Sequence, residues 1–297
     1  MSYDTRSAAP VMTRTPHRPA GPARRRRPRG NPLAGLGSLV WLVIVIVPIY
    51  TLVSSSLMHQ DQALNGEPLA LPTDPTLSNY RTVLHNGFFS MLGNTAIVAV
   101  ATVAIVLVLS VPVAYVAVRS RGRLSSLAFR TFLLGVAIPA QAVIVPLYLL
   151  ISKMGLYDTL PAIILPTAAF SMPVAVLVLS GTMRDVSEEM YEAMALDGAT
   201  PVRMLLQLAI PMSKAGISTV AIYTAIQAWN GFLFPLILTQ SEENRVLTLG
   251  LFNFMSQFGV DIPAVLAAIV LSVVPIFAVY LVARRALING LMGVGGK

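Results

Sequence analysis

The amino-acid sequence predicts an all-α integral membrane protein with six transmembrane helices. Of its 297 residues, 55% are hydrophobic and only 11% are charged, whereas about a quarter of the residues in a soluble domain are charged. Six apolar segments are each long enough to cross a hydrocarbon core, which takes about 20 helical residues. Strands are not expected, because a membrane barrel needs an alternation of polar and apolar residues that these segments lack.

The six predicted spans follow one another along most of the chain. They are Leu39–Leu57, Asn94–Val118, Thr131–Ile151, Leu160–Met183, Gly216–Gln240 and Ile262–Ala283. None of them contains Asp, Glu, Lys, Arg or His. Carriers driven by protons or ions commonly place an ionisable group at membrane depth, where it binds the ion. The uncharged spans therefore argue against an ion-coupled carrier.

Basic residues predict the orientation of the chain. Residues 1–32 form a tail rich in Pro and Arg, which we expect to be disordered, with an arginine cluster just before the first span. By the positive-inside rule, this cluster and the basic flanks of alternate loops place both termini in the cytoplasm. The same placement favours contact with membrane lipid over nucleic acid, so the net charge of +8 does not indicate a nucleic-acid-binding protein.

The orientation also assigns the loops of the predicted permease domain, residues 33–288. Residues 184–215 form a long cytoplasmic loop, and residues 241–261 form an extracytoplasmic loop. Residues 289–297 are expected to form a cytoplasmic C-terminal tail. The chain as a whole is predicted to be a multi-pass protein of the plasma membrane.

Residue types that carry catalysis or bind metals are scarce in this sequence. The chain has no cysteine, and its histidines, His17, His59 and His85, lie far from any His–Glu–His pattern. No phosphate-binding glycine loop of the G-x-x-x-x-G-K-[ST] type is present. We therefore expect no enzyme activity, no metal site and no bound cofactor.

The cytoplasmic loop contains the strongest local signals. Residues 192–200 read EAMALDGAT, at the end of a helix predicted over Ser187–Leu196 with Ser187 as its N-cap. Val186, Met190, Ala193 and Met194 recur at helical spacing and predict one apolar face. Gly198 follows the helix where a left-handed turn is wanted.

A second short helix is predicted immediately after this turn. Thr200 is placed to cap it, Pro201 occupies its first position, and it runs to Pro211. The product is a pair of short helices that meet at a glycine. An exposed amphipathic helix either docks on a partner protein or lies on the membrane surface, and these residues alone leave both alternatives open.

This stretch resembles the EAA loop of permease subunits in ATP-binding-cassette importers. The family pattern reads E-A-A, three residues, Gly, nine residues and I-x-L-P. Here Glu192 and Ala193 match, Met194 replaces the second Ala, Gly198 matches, and a closing LAIP ends at Pro211. Met194 preserves the apolar character of the helix.

Other stretches are similar to permeases of the carbohydrate (maltose-type) branch of the same family. Pro75–Tyr80, PTLSNY, is similar to the segment before span two, and Ala228–Leu238, AWNGFLFPLIL, to span five. The ending LINGLMGVGGK is similar to the C-terminus of the six-span maltose-type subunit. The resemblance covers nearly all of the chain after residue 32 and implies a type I importer permease fold.

The resemblance implies a set of partners and a mechanism. Two permeases, usually different, pair to form one pathway, two ATPase subunits bind beneath them, and an extracytoplasmic binding protein delivers the sugar. The ATPase subunits bind ATP, so the permease itself needs no cofactor. The EAA loop forms the coupling helix that docks on the ATPase. The coupling residues implied here are Met190, Glu192, Ala193, Met194, Asp197, Gly198 and Pro211.

Two further groups of residues are assigned from the neutral spans and from the extracytoplasmic loop 241–261, which we call the outer loop. Neutral sugars are held by hydrogen bonds and by stacking on aromatic rings, so Asn94, Gln227, Trp229 and Asn230 are candidates for the translocation pathway. The alternative for Trp229 and Asn230 is a structural role at the membrane interface and between helices. By resemblance, Asn253 and Ser256 of the outer loop are candidates for contact with the binding protein.

The leading functional hypothesis is therefore a permease subunit of a sugar or oligosaccharide importer. One alternative is a permease of the same superfamily for amino acids, peptides or polyamines. A stand-alone ion-coupled carrier and a membrane enzyme are less favoured, because the first lacks a buried charge and the second a catalytic set. Copurification of an ATPase separates the importer from the carrier.

Overall fold

A computed structural model describes residues 32–66, 69–120, 122–251, 255–256 and 259–292. The chain divides into two compact units, residues 1–47 and residues 48–297. The tail predicted to be disordered lies outside the described residues as far as residue 31. The helical region begins at Pro32, one residue before the predicted start of the permease domain.

Helices form most of the regular structure of the described residues. They are α1 Pro32–Ser56, α2 Gln60–Asn65, α3 Ser78–His85, α4 Phe88–Arg119, α5 Arg123–Leu134, α6 Ile144–Lys153, α7 Leu160–Arg184, α8 Glu188–Leu196, α9 Pro201–Met204, α10 Ile210–Met212, α11 Lys214–Trp229, α12 Leu233–Leu238, α13 Leu247–Gly250 and α14 Ile262–Met292. Two 3₁₀ turns, Gly135–Ala137 and Ala140–Val143, lie between α5 and α6, and a π-helical turn, Leu205–Ala209, joins α9 to α10.

The unit of residues 1–47 consists, where described, of the first part of α1. This helix contains no charged residue. Its large apolar side chains are exposed, with 68% of Trp41 and 57% of Ile44 accessible. An uncharged helix with apolar side chains exposed on all sides is suited to hydrocarbon rather than water.

The core of the second unit lies where α4, α7 and α11 pack side by side. Its largest cluster of buried side chains contains Val106 and Tyr115 of α4, Leu179 and Met183 of α7 and Val220 of α11. The α7–α11 contact is close at Gly216, where a Cβ would lie 2.4 Å from the Thr182 hydroxyl oxygen. Glycine therefore permits this approach of the two helices.

Several hydroxyl groups inside these apolar helices are satisfied within their own helix. Thr95, Thr167 and Ser171 each donate a hydrogen bond to the carbonyl oxygen four residues earlier, at 2.7 to 2.8 Å. A hydrocarbon environment supplies no water to replace such bonds. Small hydroxyl residues can therefore occupy buried positions of α4 and α7.

The prediction of a helical membrane protein is confirmed, but the prediction of six continuous spans is not. By length and composition, three unbroken helices of the described residues can cross a membrane: Gly35–Ser56, α4 and α7. Two bent pairs, 125–153 and 201–229, raise the number to five if each pair is one span. A sixth apolar helix, Ile262–Ala278, is shorter than a span.

The predicted spans Thr131–Ile151 and Gly216–Gln240 are wrong as continuous helices. The first is broken between the helical segments 125–137 and 140–153, whose directions differ by 94°. Pro139 lies at this break with an extended backbone and has no N–H to continue a helix. The second stops at Trp229, and the chain resumes helical structure only at Leu233.

The outer loop and the C-terminal segment differ in part from the prediction. Met255–Ser256 pairs with Gly259–Val260 as two short antiparallel strands, in the loop predicted over 241–261. α14 continues to Met292, so residues 289–292 extend this helix and do not belong to a separate tail. Residues 293–297 of the predicted tail lie outside the described residues.

Candidate functional site: the α8–α10 segment and the outer loop

The helix predicted over Ser187–Leu196 is present as α8, Glu188–Leu196. Ser187 occupies the N-cap position with an extended backbone, but its side chain makes no capping hydrogen bond. Glu188 and Glu189 lie in the first turn, where carboxylates are favoured by the positive end of the helix dipole. The helix prediction is thus confirmed, and the carboxylates rather than the Ser187 hydroxyl provide the favourable interaction at its start.

The turn after α8 has the conformation that the sequence predicts. Gly198 has a φ of 73°, in the left-handed region. Its N–H donates to the carbonyl of Ala195, and the N–H of Ala199 donates to the carbonyl of Met194 at 2.9 Å. These two bonds satisfy carbonyl groups at the end of the helix in the Schellman pattern. The turn aims the chain directly into α9.

The second short helix begins with the predicted cap. The Thr200 hydroxyl accepts a hydrogen bond from the N–H of Arg203 at 3.3 Å, and Pro201 occupies the first turn. The chain then continues through the π-helical turn and α10, which contains the exposed Pro211. The segment 201–212 meets α11 at an angle of 78°. π-helical turns are rare and often lie at functional sites.

The outward side of α8 exposes both charged and apolar side chains. These residues, which we call the outer face of α8, are Glu189, Met190, Glu192, Ala193 and Leu196. Leu196 is 90% exposed, although it is large and apolar. Asp197 and Gly198 are also exposed, at the C-terminal end of the helix. Large exposed apolar side chains beside acidic ones indicate a surface that contacts a partner or lipid.

The predicted single apolar face of α8 is divided in the structure. Val186 is buried and Met194 packs against the core cluster, while Met190 and Ala193 lie on the outer face of α8. The sequence pattern did not separate these two sets, because helical spacing alone does not say which part of a wide apolar stripe meets the protein's own core. Met194 therefore contributes to the packing of α8 against the core.

Sequence reasoning missed three residues that hold α8 against the rest of the protein. The Tyr191 side chain is only 2% exposed and belongs to the core cluster. The Arg119 guanidinium lies 2.5 Å from a Glu188 carboxylate oxygen and 4.1 Å from the centre of the Tyr191 ring. Burial raises the pKa of the Tyr191 phenol above its usual value. The Tyr191–Met194 spacing of three residues was the one local signal of this second face.

The four candidate pathway residues are not equivalent in the structure. Asn94 donates two hydrogen bonds from its amide, to the carbonyls of Glu243 and Arg245, at 2.6 and 2.9 Å. Trp229 is half-buried and packs against two apolar clusters. Gln227 and Asn230 are exposed. Asn94 therefore anchors the outer loop, whereas Gln227 presents an exposed polar group.

Asn230 lies at the break between α11 and α12. Its side-chain amide donates to the carbonyl of Ile226 at 2.9 Å. The carbonyl of the next residue, Gly231, accepts a hydrogen bond from the Thr248 hydroxyl at 2.7 Å. The hydroxyl of Thr95 accepts from the N–H of Leu247 at 2.9 Å. The loop segment 243–248 is thus bonded to both α4 and the helix break.

Asp158 holds the beginning of the same loop from another direction. One carboxylate oxygen accepts hydrogen bonds from the N–H groups of Gln240 and Ser241, at 2.8 and 3.0 Å, and from the Ser241 hydroxyl. The Asn244 amide donates to the Asp158 carbonyl at 2.7 Å. The bonds from the Gln240 and Ser241 backbone hold the pKa of Asp158 below its usual value. We call this set the Asp158 clasp.

Of the two outer-loop residues that are candidates for contact with the binding protein, the structure describes one. Asn253 lies outside the described residues, and Ser256 belongs to the first short strand, opposite Gly259. A cavity of about 610 Å³ opens at the beginning of the loop, lined among others by His85, Glu242 and Arg245. Among the described residues, no three His, Asp or Glu side chains are grouped so as to hold a metal ion.

Comparison with known proteins identifies relatives over most of the chain. Residues 107–288 match the family described as "Binding-protein-dependent transport system inner membrane component". The chain is 34% identical over 253 residues to the putative ABC transporter permease protein ORF2 of Caldicellulosiruptor sp., covering 85% of this chain and 92% of that protein. It is 33% identical over 252 residues to the diacetylchitobiose uptake system permease protein NgcG of Streptomyces coelicolor, covering 83% and 82%.

A solved structure shares the fold. It is a bacterial ABC transporter involved in the import of the acidic polysaccharide alginate, and the alignment has a TM-score of 0.73 at 23% identity. The alignment covers 88% of this chain and 98% of that chain. At this identity the likeness supports the arrangement of helices and does not extend to the substrate.

Proposed function

Because the chain belongs to the family of binding-protein-dependent transport system inner membrane components, we propose that it is a permease subunit of an ATP-driven sugar or oligosaccharide importer. In this proposal it forms half of the translocation pathway and couples to the ATPase through α8. The observation that carries the coupling role is the outer face of α8, which leaves Leu196 90% exposed beside the left-handed turn at Gly198.

The sugar assignment rests on the relatives and on the chemistry of the spans. A permease of diacetylchitobiose uptake is 33% identical to this chain. The predicted spans contain no Asp, Glu, Lys, Arg or His, and Gln227 and Asn230 provide exposed amides near the break between α11 and α12. Neutral amides and an aromatic ring bind hydroxyl-rich, uncharged molecules through hydrogen bonds and stacking. We assign Gln227, Trp229 and Asn230 to the pathway on this basis.

The partners follow from the same proposal. A second homologous permease completes the pathway, two ATPase subunits bind ATP and dock on the outer face of α8, and an extracytoplasmic sugar-binding protein docks at the outer loop. The docking residues on α8 are Met190, Glu192 and Ala193, with Asp197 and Gly198 at its C-terminal end and Pro211 at the end of the motif. Asn253 and Ser256 are the proposed contacts with the binding protein.

The orientation is proposed from the basic residues. Arg119 ends α4, Arg123 begins α5 and Arg184 ends α7, and five arginines cluster within residues 24–29, just before α1. Basic residues accumulate on the cytoplasmic side of a membrane. Six spans with both termini in the cytoplasm place α8 beside the ATPase and the Asp158 clasp on the outside. This assigns the chain to the plasma membrane of the cell.

Purification of the tagged chain from membranes of its host tests the proposal. We expect a second permease and an ATPase to copurify, and the system's binding protein to stimulate ATP hydrolysis by the complex. Recovery of the chain without an ATPase, and sugar uptake that an ion gradient alone sustains, would instead support a stand-alone carrier.

The variant Glu192→Lys separates a protein partner from a membrane surface. Glu192 is exposed on the outer face of α8, so the change should not disturb folding. At a protein interface, reversal of a charge typically weakens a complementary contact, and we expect several-fold lower recovery of the ATPase. On an anionic lipid surface the added positive charge is favourable, so unchanged recovery would support the membrane-surface alternative.

A further inference from the structure

The last residue of α4 contacts two residues of α8. Arg119 is the last residue of α4, and its guanidinium pairs with the Glu188 carboxylate while its Cζ atom lies 4.1 Å from the centre of the Tyr191 ring. Glu188 and Tyr191 are three residues apart and therefore lie on neighbouring positions of one helix face. One side chain thus makes two contacts with the first turns of α8.

Tyr191 connects this contact to the core. Its ring centre lies 6.3 Å from that of Tyr115, which precedes Arg119 by about one turn of α4. The Tyr191 hydroxyl is buried and has no hydrogen-bond partner among the described residues. Tyr191 is therefore held by packing of its ring, between Tyr115 in the core and Arg119 at the rim.

The chemistry of the contact requires an arginine. A guanidinium is planar, so it can bond a carboxylate at its edge and stack on an aromatic ring with its face. The side chains of Arg119 and Glu188 are 27% and 48% exposed, and an ion pair at that exposure contributes little by itself. The stacking on a buried ring is what distinguishes this contact from an ordinary surface ion pair.

We propose that Arg119 is a positioning residue that fixes the coupling helix to α4, so that α4 and α8 move together. This inference rests on the proposed docking of α8 on an ATPase. Arg119 contacts α8 at Glu188 and Tyr191, neither of which belongs to its outer face, so it acts through α8 and does not occupy the docking surface. Loss of Arg119 should preserve docking and weaken the transmission of movement from the ATPase to the transmembrane helices.

Two variants and one control test the inference in the intact complex. Arg119→Ala removes both contacts, and Glu188→Gln removes the charge from an exposed side chain without loss of volume. Arg123→Ala is the matched control, because Arg123 is an exposed arginine at the start of α5. Tyr191→Phe should behave as wild type, since the hydroxyl that it removes has no partner.

The decisive readout is the stimulation of ATP hydrolysis by the system's own binding protein, purified with its endogenous ligand. For Arg119→Ala we expect recovery of the ATPase within twofold of wild type, but stimulation reduced at least threefold. Glu188→Gln should show a smaller reduction, and Arg123→Ala none. A role confined to stability would instead lower the amount of complex and leave the stimulation of the surviving complex unchanged.

A second measurement reports the position of α8 directly. The chain has no cysteine, so spin labels can be attached at Ser120 and Ser187 after their change to cysteine, since both are exposed and lie outside the outer face of α8. We expect a narrow distance distribution in wild type and a broad one in Arg119→Ala. Stimulation of Arg119→Ala equal to that of wild type would overturn the role of Arg119, and unchanged label distances would show that Arg119 does not position α8.

The outcomes distinguish this inference from the proposed function. If the wild-type chain recovers no ATPase, the coupling function of α8 fails and the role of Arg119 falls with it. If wild type and Arg119→Ala recover equal ATPase and are stimulated equally, the coupling function stands and only the role of Arg119 is rejected.

Discussion

Single residues in the α8–α9 turn have requirements that local physics explains. Gly198 has a φ of 73° and nothing within 4 Å of the position that a Cβ would occupy. A side chain there meets no neighbour, so any penalty comes from the backbone conformation alone. That penalty is about 1–2 kcal/mol for an ordinary residue in the left-handed region, and less for Asn.

Substitutions at Gly198 should therefore differ according to how well each residue tolerates a left-handed backbone. We expect Gly198→Val to disturb the turn and to lower recovery of the ATPase several-fold, whereas Gly198→Asn, which adds a side chain of similar size, should retain most of it. The variants are compared at equal membrane levels by copurification. If both variants recover as much ATPase as the wild-type chain, the angle between α8 and α9 does not matter for docking.

The second residue-scale prediction concerns the pathway. Gln227 is exposed on α11, one residue after the exposed, apolar Ile226. Gln227→Leu should lower uptake of the sugar carried by the binding protein several-fold, because an amide that bonds hydroxyl groups is lost, while Ile226→Leu should have no effect. Asn230→Leu would change both the pathway and the local structure, since the Asn230 amide also donates a hydrogen bond to the Ile226 carbonyl. Wild-type uptake in Gln227→Leu would remove this residue from the pathway.

At the level of elements, the sequence predicted those features that depend on near neighbours. The helix over 188–196, the glycine turn and the Thr200 cap each follow from residues within five positions of one another. The break between α5 and α6 was missed, because hydropathy reports whether a segment prefers lipid and not whether its helix is continuous. The contact of Arg119 with α8 was missed because it joins residues 69 positions apart.

The Asp158 clasp is an element whose strength should depend on pH. The pKa of Asp158 is lowered by hydrogen bonds from the Gln240 and Ser241 backbone. A carboxyl group with a lowered pKa in the folded state stabilises that state above its unfolded pKa, about 3.9 for Asp, and the effect disappears as pH falls through the lowered value. The clasp is therefore expected to be unaffected by pH between 5 and 8 and to open only in stronger acid.

The third prediction uses a spin label at Glu242, changed to cysteine, to follow the loop. Its mobility should stay constant from pH 8 to pH 5 and rise below about pH 4. Asp158→Asn is the matched control: Asn also tolerates the positive φ of 59° at this position, but it does not titrate. Its label mobility should therefore show a weaker dependence on pH, and an identical transition in both proteins would assign the opening to other carboxyl groups.

At the scale of the molecule, α4 joins the two candidate contact regions. Near its N-terminal end, Asn94 and Thr95 bond the outer-loop segment 243–247. At its C-terminal end, Arg119 contacts α8. A helix rises about 1.5 Å per residue, so these anchors are about 37 Å apart, close to the thickness of a membrane. One helix thus contacts both the loop proposed to meet the binding protein and the helix proposed to meet the ATPase.

The most direct test of this account is a crosslink from the outer face of α8 to the ATPase. The chain lacks cysteine, so Ala193→Cys provides a unique attachment point, with the exposed Ser126 of α5, also changed to cysteine, as the control position. In membranes that contain the assembled complex, the account predicts an adduct between Ala193→Cys and the ATPase subunit, and little or none from Ser126→Cys. Equal, background-level crosslinking from both positions would contradict the coupling role of α8.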